Sequence, residues 1–122
     1  MNKSRAATLT EYELMTTATT LPAKAFGTAV MTSGFMHHYG IDHAHMLASV
    51  LLQKLYANDW GKLDEHDQQV NADVIEAGEG RIMAEYKVVD QRIWLISYIQ
   101  TDAELQADPN YCNTTIMFPS EY

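Results

Sequence analysis

The sequence predicts an α+β fold, an antiparallel sheet of about four strands with two main helices packed on one face. Three observations predict it. Two apolar runs rich in β-branched and aromatic residues flank the polar pair Asp90-Gln91, the pattern of a β-hairpin. Two stretches before them carry apolar residues at helical spacing, each opened by a capping residue. The chain has 122 residues, enough for one buried core and too few for two.

In order, residues 1–22 form a flexible or short-helix segment ahead of a single domain over residues 23–122. Thr10 with Glu13 three positions on resembles a capping box for a short helix over residues 11–16, and Pro22 closes the segment. Residues 24–32 predict a first strand, in which Gly27 marks a bulge or a close packing contact. Ser33 caps a single helical turn over residues 34–39, ended by Gly40. Asp42 is then a good N-cap, with Ile41 before it as a staple. Leu47, Val50, Leu51 and Leu55 recur at helical spacing up to Ala57. Asn58, Asp59, Trp60 and Gly61 stop this helix. Asp64 caps the next, over residues 65–77, and Gly78 terminates it.

The hairpin spans residues 80–100. With Val89 opposite Arg92, the pairs are Val88 with Ile93, Tyr86 with Leu95, Ala84 with Ser97 and Ile82 with Ile99, all on one face. That face belongs to the core. The other face pairs Lys87 with Trp94, Glu85 with Ile96 and Met83 with Tyr98, so one strand supplies large apolar groups and its neighbour supplies charge. An apolar patch of this size is uncommon on a monomer, so the face expects a cover, first of all the chain's own N-terminal segment, or a partner. Residues 101–112 form a polar loop with strong turn chemistry at Asp108-Pro109-Asn110, and residues 113–118 form the last strand, ended by Pro119.

The formal net charge is −8, and Lys and Arg together number only 8. Phosphate contacts need those cations, so direct nucleic-acid binding is not expected. An acidic surface attracts basic partners, among them nucleic-acid-binding proteins. No apolar run approaches the roughly 20 residues of a membrane span. The segment after Lys3 and Arg5 lacks the apolar stretch of a secretory signal, so a cytoplasmic location is expected. Cys112 is the only cysteine; it has no second thiol for a disulfide or a CxxC site.

Several strings then resemble a known group of proteins. They are Asn58-Asp59-Trp60-Gly61, Asp67 and Asn71 on the next helix, Gly80-Arg81-Ile82, Tyr86, Ile93-Trp94-Leu95-Ile96, and Thr114-Thr115-Ile116-Met117-Phe118-Pro119 with Glu121-Tyr122. From Gly27 onward the chain resembles a family of small bacterial proteins labelled plasmid-related protein, sometimes type I restriction endonuclease subunit M. The resemblance implies residence on mobile elements, with no established reaction. No methyltransferase motif accompanies the second label. The chain departs from the family where residues 101–112 replace a shorter link holding an Asp-Arg pair, and where Asn58 stands in place of Gly.

Three constellations could carry chemistry. His37, His38, His43 and His45 could supply ligands to Zn²⁺ or another transition metal, the basis of an alternative reading as a small metal-dependent hydrolase or nuclease using Asp42 or Asp59. Their spacing opposes it, because His43 and His45 are two apart on a helix and point to different sides. Asp59, Trp60, Asp67 and Asn71 could bind a ligand, but the scaffold reading is stronger: Trp60 anchors the turn, and Asn71 hydrogen-bonds buried loop backbone. Ser97 lacks nucleophile-elbow glycines, and no glycine-rich phosphate loop occurs.

The expectation is therefore a non-enzymatic, cofactor-free acidic module that binds protein through Trp94, Ile96, Tyr98, Glu85 and Met83. Its concrete form is an inhibitor of a host defence nuclease complex of the restriction or CRISPR type. The same face could also join two copies of the chain.

Overall fold

A computed structural model describes residues 20–122; the short helix expected over residues 11–16 lies outside them. After a 3-10 turn, Ala23–Phe26, come strand β1 (Thr28–Met31), helices α1 (Ser33–Tyr39), α2 (Ile41–Tyr56) and α3 (Glu65–Ala77), and strands β2 (Glu79–Val88) and β3 (Gln91–Gln100). A short helix α4 (Ala103–Gln106), strand β4 (Asn113–Met117) and a 3-10 turn, Pro119–Glu121, complete the chain. The α+β class holds, with four strands in the order β1-β4-β3-β2.

The sheet is mixed, which corrects the antiparallel expectation. β2 and β4 both run antiparallel to β3, whereas β1 pairs parallel with β4. Four helices and the hairpin separate β1 from β4, a connection long enough for parallel pairing. Gly27 sets the entry to β1. At φ 68 it lies against Cys112, and a Cβ there would stand 2.8 Å from the Asn113 nitrogen. Of the two expectations for this glycine, close packing is the one realised.

The hairpin register also differs, by two residues. Val88 pairs with Gln91, and Tyr86, Ala84 and Ile82 face Ile93, Leu95 and Ser97. The turn is Val89-Asp90, because Val89 takes φ 55, a conformation in which a β-branched residue is strained. A shift of two leaves every side chain on its predicted face. Ile82, Ala84, Tyr86, Ile93, Leu95 and Ile99 are all buried in the core, joined there by Ala44, Ala48, Leu51 and Leu55 of α2 and by Ile75 of α3.

Other differences are local. Residues 23–26 form a 3-10 turn where a strand was expected, because Phe26 is fully buried with its ring 4.9 Å from that of Tyr56. Thr32, not Ser33, caps α1 by accepting the Phe35 N–H at 3.2 Å. Helix α2 starts at Ile41, so Asp42 lies in its first turn, where a carboxylate favours the helix dipole, and the Ala44 N–H reaches the Gly40 carbonyl at 2.8 Å. Within residues 101–112, Asp102 caps α4, which the loop expectation missed. Helix α3 matches its predicted bounds, caps included: the Asp64 carboxylate accepts the Asp67 N–H and Gly78 ends it at φ 80.

Candidate functional site

Alternation along the strands places one set of side chains on the face opposite the helices. Ile96 lies between Met83 of β2 and Thr115 of β4, which itself neighbours Val30 of β1. Trp94 lies between Glu85 and Met117, and Tyr98 between Arg81 and Asn113. The structure thus brings Met83, Glu85, Trp94, Ile96 and Tyr98 together on one face. Ile96 is buried but lies outside the main hydrophobic core, while Val30 and Tyr98 at its flanks are 52% and 44% exposed.

A polar network edges this face. The Glu85 carboxylate accepts from Arg92 Nη2 and Nε at 2.9 and 3.2 Å, and from the Trp94 indole N–H at 2.9 Å. The hydrogen bond from Arg92 holds the Glu85 carboxyl below its ordinary range, against the opposing pull of partial burial, with the indole bond helping. Tyr122 stacks edge-on against Trp94 at 5.6 Å and accepts an Arg81 guanidinium hydrogen bond at its hydroxyl, 3.1 Å away. Val30, Met117, Arg81 and Tyr122 were missed by sequence reasoning. Val30 follows from the pairing of β1 with β4 and Met117 from that of β4 with β3, and the C-terminal tyrosine carries no local signal of its position.

Asp59, Trp60, Asp67 and Asn71 are spread along the β2 edge. The Asp59 carboxylate accepts the Gly61 N–H at 3.1 Å and pairs with Lys54 at 3.5 Å across solvent. Trp60 is buried, and its indole N–H has no hydrogen-bond partner among the described residues. Its carbonyl accepts the Glu85 N–H at 3.2 Å, and the Lys62 N–H donates to the Glu85 carbonyl at 2.7 Å. Buried Asn71 bonds the strand backbone at Met83, not a loop, so its expected partner is corrected. Asp67 is exposed in the first turn of α3. Tyr86 donates its hydroxyl to the Asp59 carbonyl at 2.7 Å, and burial pushes that phenol well above the usual range, aided by the Asp59 charge.

The histidines do not converge. His37 and His38 lie on α1 and His43 and His45 on α2, all exposed. His38 and His43 pack edge-on against Tyr39, and His45 Nδ1 lies 2.8 Å from the Ile41 carbonyl. Among the described residues, no group of three or more His, Cys, Asp or Glu side chains is placed to hold a metal ion. Ser97 is fully buried 2.7 Å from the Thr114 hydroxyl, which donates to the Phe26 carbonyl at 2.8 Å. That geometry is a buried structural network joining β3, β4 and the 3-10 turn at Phe26.

Charge is segregated as well. From Leu63 to Gly80 the chain carries Asp64, Glu65, Asp67, Asp73, Glu76 and Glu79 with no Lys or Arg. This acidic helix runs beside β2. No helix among the described residues is long and apolar enough to cross a membrane. No protein-family model matches the chain, and no curated protein or solved structure does so.

Proposed function

We propose that this chain is a non-enzymatic acidic module that binds a basic protein through the sheet face of Trp94, Ile96 and Tyr98. The observation that carries the proposal is that face itself: aromatic and aliphatic groups from all four strands, half wet at Val30 and Tyr98, flanked by an α3 that bears only acidic formal charge. An apolar centre supplies affinity once water is excluded, and a surrounding field of one sign selects an oppositely charged partner. Nucleic-acid-processing enzymes carry such basic surfaces. The resemblance to plasmid-related proteins adds the biological setting, a mobile element that gains by blunting a host defence nuclease of the restriction or CRISPR type.

The test is cleavage of target DNA by purified restriction and CRISPR effector complexes while this protein is titrated in. Stoichiometric loss of cleavage, relieved by Tyr98→Glu and weakened by added salt, is the expected result. Nucleases that stay fully active across the panel would overturn it.

A further inference from the structure

The two edges of the sheet are treated differently. At the β2 edge, the outward N–H and C=O of Met83 bond the Asn71 side chain, and those of Glu85 bond the backbone of Trp60 and Lys62. At the other edge nothing comparable occurs among the described residues. The Thr32 N–H reaches the Ile116 carbonyl at 3.0 Å, so in the parallel ladder Thr28, Val30 and Thr32 address β4. The N–H and C=O groups of Ala29 and Met31 therefore point outward. Unpaired edges are ordinarily blunted by lysine, proline, a bulge or a covering segment; β1 itself holds no lysine or proline, and no segment among the described residues hydrogen-bonds its outer edge.

We propose that two copies of the chain pair β1 against β1, antiparallel and centred on Val30. The register follows from the backbone. Only residues with outward groups can form hydrogen-bonded pairs, and centring on Val30 sets Ala29 opposite the partner's Met31, twice by symmetry, for four inter-chain hydrogen bonds. The side chains also fit. On the helix side, a groove of about 380 Å³ between β1 and α2 is lined by residues 29–31 and by Ala48, Leu52 and Ile116, with His45 and Ser49 as its polar part. The partner's Met31 stands over small Ala29 and enters it. On the opposite side Val30, now half exposed, meets the partner's Val30 as a β-branched cross-strand pair.

Charge permits this pairing despite the net −8. Residues 20–41 contain no Asp or Glu, so the repulsion that acidic α3 presents to a second copy is absent along this stretch. The result is a continuous eight-stranded sheet. It uses an edge of the sheet, and the partner face of Trp94 and Tyr98 stays open in the dimer.

The experiment is native mass spectrometry of the untagged full chain at about 100 μM, tenfold above the dissociation constant of a modest dimer of about 10 μM. Wild type is expected to be dimeric. Val30→Lys and Val30→Glu, each placing like charges directly opposite, are expected to weaken the dimer by more than about tenfold, and an equimolar mixture to regain it as a mass-resolved heterodimer. Ala29→Pro removes an outward N–H that no intrachain bond uses, so it should dissociate the dimer while circular dichroism stays native. Tyr98→Glu should leave the dimer intact, which separates this interface from the partner face. A monomeric wild type, a dimer that survives both Val30 substitutions, or a mixture that forms no heterodimer overturns the proposal.

Discussion

Asn71 pairs with both backbone groups of Met83: its Nδ2 donates to the Met83 carbonyl at 2.7 Å, and its Oδ1 accepts the Met83 N–H at 3.3 Å. A carboxamide has one donor side and one acceptor side, which is what a strand edge offers in return. The side chain therefore acts as a short substitute strand joining α3 to β2. It also closes an edge that would otherwise template aggregation.

Asn71→Ala leaves a partly buried N–H and C=O without partners, and the expected loss is about 2–3 kcal/mol in a urea melt. Asn71→Asp keeps the size and the acceptor but cannot donate to the Met83 carbonyl, so it should lose nearly as much near neutral pH. An Asn71→Asp protein as stable as wild type would show that volume, and not hydrogen bonding, matters at this position.

Val89 predicts the opposite sign. It is 85% exposed at φ 55, so its side chain contributes no packing while its backbone is strained. Glycine adopts that conformation freely but gains chain entropy when unfolded. The net expectation for Val89→Gly is a gain of about 0.5–1 kcal/mol, read as a shift in urea midpoint at constant slope.

The same residue explains what the sequence concealed. Valine is among the least suitable residues for a positive-φ turn position, so residue type pointed to Asp90-Gln91 and displaced the register by two. The faces survived because strand alternation has a period of two, so Trp94, Ile96 and Tyr98 were placed together without the correct pairs. Helix α3 was legible to the residue because Asp64 and Gly78 are local signals. The parallel pairing of β1 with β4 was not. It joins residues more than eighty positions apart, as does the Thr32 hydroxyl bond to Glu121 at 2.7 Å, and no local pattern encodes either.

Tyr86 makes alkaline stability a readout of the Asp59 turn. Burial raises its phenol above the ordinary value of 10.0, so the folded state keeps its proton where the unfolded chain loses it. The contribution is fully present below pH 10 and declines as pH rises beyond it, by up to about 1.4 kcal/mol per pH unit from this one group. Tyr86→Phe should lower stability at pH 8 by about 1–2 kcal/mol, because the Asp59 carbonyl loses its donor, yet flatten the slope above pH 10. Parallel curves for the two proteins would refute this assignment.

Glu85 acts in the acid range, with the reverse sign. Its carboxyl is held low by Arg92 and the Trp94 indole, so the stabilisation is present above the ordinary value of 4.5 and is lost as pH falls through the lower folded value. Glu85→Gln removes the titrating group but leaves an amide oxygen to accept from the indole. Wild type should therefore lose stability more steeply than Glu85→Gln as pH falls through and below the ordinary value of 4.5. Trp94 supplies an optical check, since its N–H is the 2.9 Å donor to that carboxylate. Its emission should shift with pH in wild type and stay constant in Glu85→Gln while both remain folded. A shift of equal size in both would place the responsible proton elsewhere on the face.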